Sequence, residues 1–110
     1  EETKGNLPVW IAPVQVKILP ITDDQQEYAY SLKERFIAKG LRVEVDDRNE
    51  KTGYKIREAQ LSKVPYMLIV GKKEVEENKV SVRSHTKGDI GAIAVEEFEN
   101  KILKEIEEKI

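Results

Sequence analysis

The run YMLIVG, from Tyr66 to Gly71, constrains the fold of this chain more than any other stretch. Pro65 precedes it, Gly71 closes it, and no residue from Tyr66 to Val70 is charged. A strand with no polar face has no side to turn to water, so it must be covered above and below. That predicts a central parallel strand with helices on both faces of its sheet. Pro65 also biases Val64 to extended geometry, which ends whatever helix comes before.

The flanking segments supply what such a strand needs. VKILPI reads as a buried strand. VWIAP reads as a strand or extended lead-in, because Pro13 removes a ladder donor. Thr22 offers a helix N-cap, with Gln25 three residues on as a capping box and Asp23 and Asp24 favourable to the dipole. Tyr28, Leu32 and Phe36, with Ala29 and Ile37 beside them, form an apolar stripe at helical spacing, and Gly40 sits where the helix should stop. LRVEVD alternates as a short strand over Leu41–Asp46, and Gly53–Ser62 makes a short helix around Ile56 and Ala59.

KVSVRS alternates cleanly, with Val80 and Val82 on one face and Ser81 and Arg83 on the other. The link into it holds no clear helical pattern, which predicts an antiparallel return. IGAIAV suggests a final short strand, and a helix from Val95 onward buries Val95, Phe98, Ile102 and Ile106. The order β-α-β-α-β-β-(β)-α predicts a three-layer α/β/α sandwich with a mostly parallel sheet.

At 110 residues the chain suffices for one domain with a real core. Residues 1–6 read as a leftover connection and 7–110 as the domain. The net charge of −2 gives no global pull toward nucleic acid or anionic membranes. Its distribution is uneven. From Arg48 to Lys63 there are five basic residues against two acidic ones, and from Glu96 to Ile110 six glutamates against three lysines. There is no cysteine, which rules out disulfides and thiolate metal sites and fits a cytoplasmic protein. EETKGNLP is no signal peptide, and no apolar run approaches the roughly 20 residues of a membrane span. The first residue is Glu rather than Met, which suggests an excised domain or a processed product.

The catalytic inventory is thin. His85 is the single histidine, and a lone histidine with no neighbouring nucleophile is a surface residue before it is a catalyst. G-x-S-x-G, P-loop and G-x-G-x-x-G patterns are absent. Asp23, Asp24, Asp46 and Asp47 invite comparison with a phospho-acceptor site in a receiver-type domain. That site needs an aspartate at the end of the third strand, where this chain has Val70 and Gly71.

Binding chemistry is better represented. In a doubly wound sheet, ligands bind at the carboxyl ends of parallel strands. Asn49, Lys51 and Glu74 would reach that edge from distant positions. Lys51, Lys55, Arg57 and Lys63 surround the short helix, either as a solvated face or as a phosphate-contacting patch. Tyr54 could stack on an exposed base or sit at the core boundary. Glu74 and Arg83 could form a salt bridge. On one surface they could instead read guanine, whose N1–H and N2–H donors suit a carboxylate and whose O6 and N7 acceptors suit a guanidinium. An Asn amide both donates and accepts, so it can pair with uracil or adenine. Such edges are open only in single-stranded loops.

Two stretches carry a resemblance. LPVWIAPVQVKILPIT matches a P-x-W-x-A-P-x-Q-V opening, and DDRNEKTGYKIREAQLSKVPYMLIVGKKEVE matches D-x-R-N-E-K-x-G-x-K-I-R-E followed by V-P-Y-M-x-x-x-G. Together with KVSVRS, they resemble the C-terminal anticodon-binding domain of class IIa aminoacyl-tRNA synthetases, in its threonyl branch. W-x-A-P and R-N-E-K favour that branch over the prolyl, histidyl and glycyl ones. The resemblance spans about Gly5 to Ile110.

It implies a mixed five-stranded sheet flanked by three helices. It implies a domain that reads the second and third anticodon letters of threonine tRNA, guanine and uracil. By position, Asn49, Glu74 and Arg83 match anticodon contacts, with Lys51, Tyr54, Lys55 and Arg57 in support. It further implies that ATP, magnesium and zinc belong to a separate catalytic domain of the same chain in a homodimeric parent. This domain would then bind RNA, hold no cofactor and catalyse nothing alone. A non-catalytic paralogue or regulatory RNA- or protein-binding module of the same fold is the alternative. One departure stands out. Ser84, His85 and Thr86 follow where the family often continues with arginines, which predicts a weaker phosphate grip or compensation from Lys87.

Overall fold

The computed structural model describes residues 14–47, 51–61, 64–84 and 88–108. Among these, the strands are β1 (Val16–Pro20), β2 (Val43–Val45), β3 (Tyr66–Val70), β4 (Lys79–Ser84) and β5 (Gly88–Ala94). The helices are α1 (Gln26–Ala38), α2 (Thr52–Leu61), α3 (Lys72–Glu77) and α4 (Val95–Glu107). The strands form one mixed sheet in the order β2-β1-β3-β4-β5. β2, β1 and β3 pair in parallel, and β3–β4 and β4–β5 pair antiparallel, so β4 alone runs against the rest. The apolar run is the middle strand, as its composition requires.

Two helices cover one face. Val16, Ile18, Tyr66, Leu68, Val70, Val80 and Val82 form a single core with Ala29, Leu32 and Phe36 of α1 and with Val95, Phe98 and Ile102 of α4. Phe98 meets Phe36 and Tyr66 edge-to-face at 5.8 and 5.5 Å between centroids. That geometry suits the ring quadrupoles. Glu99 is buried on the same face because Arg35 Nε donates to it at 2.8 Å. The opposite face is covered more sparsely. Leu19 and Met67 pack there with Val64 and with Ala59 of α2. This is a three-layer α/β/α sandwich.

Helix boundaries follow local chemistry. The Thr22 backbone N–H and hydroxyl both donate to Gln25 Oε1, at 2.9 and 2.7 Å. They cap a 3-10 turn over Asp23–Gln25 that leads into α1. Gly40 ends α1 with φ +88°, a conformation that costs a residue without Cβ nothing. Ile37 departs from its expected place in the apolar stripe and is half exposed. It follows Phe36 by about 100° of helix rotation, which carries it off the core face.

One segment corrects the sequence reading. The link between β3 and β4 holds α3, so four helices accompany the sheet among the described residues rather than three. KKEVEE has Val75 as its one apolar residue and leaves no periodic stripe. Its signals lie at the ends. Gly71 is the N-cap, Glu74 sits at the third position, and Asn78 closes the helix in the left-handed region at φ 54°. The antiparallel return into β4 is as expected. The VWIAP lead-in lies outside the described residues.

Candidate nucleic-acid interface

The carboxyl ends of β1, β2 and β3 define one edge of the sheet. β2 ends beside Ile18, where the Asp46 backbone N–H donates to Ile18 O at 2.9 Å. β3 ends beside Pro20, where the Ile21 N–H donates to Val70 O at 3.0 Å. The connection from β2 to α2 and the start of α3 therefore leave the sheet at the same edge. Lys51 and Glu74 stand on those two departures. Asn49 lies outside the described residues, as do Lys63, His85, Thr86 and Lys87.

Glu74 is committed locally. Its Oε1 accepts the Gly71 N–H at 2.7 Å, which satisfies a donor at the start of α3. A Cβ on Gly71 would come within 2.7 Å of Ile21 Cδ1 and 3.0 Å of Glu74 Oε1, so this turn closes tightly around a glycine. The carboxylate also acts on α1. Burial first, and the negative charge of Glu74 second, raise the Tyr28 hydroxyl above its ordinary pKa. That hydroxyl donates to Lys79 O at 3.0 Å.

Arg83 sits elsewhere. It pairs with Met67 across β3–β4, and directly paired residues share a face. Met67 belongs to the α2 side, so Arg83 faces that side too. Met67 precedes Gly71 by four residues, about 13 Å along an extended strand. Arg83 therefore lies beside the second residue of β3, and Glu74 follows the carboxyl end of that strand in α3. An antiparallel partner carries its last residues back to the start of β3.

Arg83 is nonetheless poised for a ligand. It is partly buried, yet among the described residues its guanidinium has no hydrogen bond or ion pair. Asp89 stands opposite it on β5, but Asp89 Oδ1 accepts the Gly91 N–H at 2.9 Å instead. Ser81 shares the face of Arg83, and its partner Ala92 on β5 is exposed. The α2-side face of β4 and β5 thus carries, near one end, a cation with no partner among the described residues.

The basic segment divides into two kinds of residue. Lys51 and Arg57 are exposed, with no side-chain partner among the described residues. Tyr54 is 49% exposed. Lys55 is different, with 3% exposure, and its Nζ donates to Asp46 O at 3.0 Å. Its ammonium is spent inside the fold, so the solvated or phosphate-facing position expected for it is corrected. Arg57 follows it by about 200° of helix rotation and points away from the β2 flank that Lys55 faces. Sequence reasoning missed this division because a lysine looks the same at either position.

Among the described residues no group of three His, Cys, Asp or Glu side chains could hold a metal ion, and no helix is long and apolar enough to cross a membrane.

Arg83 faces the α2 side of the sheet with no partner among the described residues, and comparison with known proteins gives the family. A family model described as an anticodon binding domain matches residues 15–105. The chain belongs to this anticodon-binding family.

The domain is 60% identical over 109 residues to a threonine–tRNA ligase of Clostridioides difficile, covering 99% of this chain and 17% of that protein. It is 58% identical over 110 residues to the threonine–tRNA ligase of Clostridium tetani, again covering 17% of the relative and all of this chain. The anticodon-binding domain thus spans about a sixth of the length of these relatives. Among solved structures, the RNA binding domain of threonyl-tRNA synthetase from Cryptosporidium parvum superimposes with a TM-score of 0.86 at 31% identity, covering 93% of this chain and 26% of that one. A prolyl-tRNA synthetase from the same organism gives 0.82 at 32% identity, covering 93% and 22%.

Proposed function

We propose that this domain reads the anticodon loop of threonine tRNA for a threonine–tRNA ligase, recognising guanine and uracil at the second and third letters. The guanidinium of Arg83, which has no partner among the described residues, supports this reading most directly. Leaving a partly buried cation without a partner costs stability, and a guanine edge or a phosphate would repay that cost on binding. Arg83 takes guanine O6 and N7. Asn49 takes uracil. Glu74 acts at the far edge, through the carboxylate capacity that its bond to Gly71 leaves over. Lys51 and Arg57 hold loop phosphates, and Tyr54 offers a ring to an unstacked base.

On this reading the domain binds and does not catalyse. Adenylate formation, with its ATP, magnesium and zinc, belongs to a catalytic domain elsewhere in the same cytoplasmic, dimeric enzyme. Titrating the chain with threonine anticodon stem-loop RNA, followed by NMR shifts, tests the proposal. The expected result is tighter binding to the cognate loop than to loops changed at the guanine or at the uracil. Equal affinity for all three would sink it.

A further inference from the structure

A bulge interrupts the β4–β5 ladder beside Arg83. Val82 pairs with Gly91 and Arg83 with Asp89, so Ile90 is an extra residue on β5 with no counterpart on β4. Gly91 adopts φ +101°, a conformation that side-chain-bearing residues resist. A Cβ there would meet nothing within 4 Å, so the glycine answers to the backbone of the bulge and not to a crowded neighbour. Across the extra residue, Asp89 Oδ1 accepts the Gly91 N–H at 2.9 Å.

Opposite charges directly across an antiparallel ladder attract one another. Arg83 and Asp89 occupy such positions, yet among the described residues they form no ion pair. The carboxylate nearest in register to the guanidinium is bound to its own strand instead. A guanidinium already held by a carboxylate would have to give up that charge-assisted pair before it could take O6 and N7 of a base. We propose that the Ile90 bulge is a specificity device, which gives Asp89 a backbone N–H to hold and so keeps this carboxylate off Arg83. Asp89 is then a positioning residue that acts on recognition at the guanine without touching RNA. This rests on the reading above that Arg83 takes the guanine.

The test deletes Ile90, which restores a regular ladder and sets Asp89 square against Arg83, alone and together with Asp89→Asn. Asp89→Asn by itself is the control, since the amide oxygen can still accept the Gly91 N–H. Each protein is titrated with the cognate threonine stem-loop, with one changed at the guanine and with one changed at the uracil. The deletion is expected to lower the preference for guanine about fivefold or more, out of the discrimination an intact bidentate contact supplies. The preference for uracil stays at its wild-type value. Adding Asp89→Asn to the deletion returns the guanine preference to within about twofold of wild type, and the control keeps it. Without RNA, the Arg83 Nε–H resonance shifts in the deletion variant and returns toward its wild-type position when Asp89→Asn is added.

A guanine preference lost on deletion and not rescued by Asp89→Asn would overturn the proposal, because the bulge would then act through strand shape alone. Loss of the preference in the control would make Asp89 an RNA contact and overturn it too. Equal loss at guanine and uracil, or no loss on deletion, would also overturn it. If the deletion variant does not fold by circular dichroism, Gly91→Ala decides, because it strains the bulge without a steric clash. A loss at guanine that Asp89→Asn rescues upholds the proposal, and wild-type discrimination rejects it. Failure of the underlying reading is separately visible, because wild-type protein would then fail to distinguish the loop changed at the guanine.

Discussion

The carboxylate of Glu74 accepts the backbone N–H of Gly71 at 2.7 Å, so the side chain proposed to meet RNA is also the one that starts α3. The two roles separate by substitution. Glu74→Ala removes the cap and is expected to cost about 1 kcal/mol of stability. Glu74→Gln keeps a carbonyl oxygen for Gly71 and so keeps most of that stability. It gives up the negative charge available to base donors. Thermal melts and stem-loop titrations of both variants should place Glu74→Gln near wild type in stability and below it in affinity. Wild-type affinity in Glu74→Gln would leave Glu74 with the cap alone.

Arg83 and Arg57 should fail in different ways. Arg83→Ala is expected to lose about 1–3 kcal/mol of binding to the cognate loop and to relax preference at the guanine. Arg57→Ala should weaken all loops alike and lower the salt slope by about one. Because neither side chain has a partner among the described residues, both variants should melt within a degree or two of wild type. A large fall in melting temperature for Arg83→Ala would assign it a structural bond instead.

Arg35 and Glu99 tie α1 to α4 across the main core. Arg35→Leu leaves a buried carboxylate without its partner. Complete burial would make that cost roughly 3–5 kcal/mol, and the 45% exposure of the arginine lowers the expectation to about 1–3 kcal/mol. Adding Glu99→Leu should return part of the loss, since two apolar groups no longer strand a charge. Urea unfolding of both single variants and the double variant gives the coupling. A double variant less stable than Arg35→Leu would contradict this account.

Tyr66 gives the fold an alkaline limit. Burial first, and then its hydrogen bond to Glu105, at 2.8 Å to Oε1 and 2.7 Å to Oε2, hold the hydroxyl far above its ordinary value of 10.0. The folded state therefore keeps a proton that the unfolded chain releases above about pH 10. Stability from this group is complete below that pH and falls as pH rises further. Tyr66→Phe should be about 1–2 kcal/mol less stable at pH 7, through loss of the bond to a charged acceptor. It should also lose less stability than wild type between pH 10 and 11.5. Parallel slopes for the two proteins would remove Tyr66 from the alkaline transition.

Much of the architecture was legible in local pattern. YMLIVG announced a strand covered on both faces, and it became the centre of the sheet. The alternation in KVSVRS gave β4 its bounds, because period two fixes both conformation and facing. Thr22 and Gln25 marked the start of the first helical segment, because that cap is a contact between near neighbours in sequence. The α3 helix escaped because a six-residue helix held by its ends has no stripe to detect.

Sequence by itself determined most of the apolar residues that face the core, and its motifs pointed to the family. Both are properties of short windows, where side-chain period and local capping act. Tertiary structure alone decided which polar residues are free to act. The register of β4 against β3 set Arg83 opposite Met67, on the α2 side of the sheet. The close approach of α2 to the end of β2 buried Lys55 while Arg57 stayed in solvent. A lysine and an arginine two residues apart on a helix carry the same charge in the sequence. Only the surface behind the helix, built from residues distant in the chain, separates the one that builds the edge from the one free to bind.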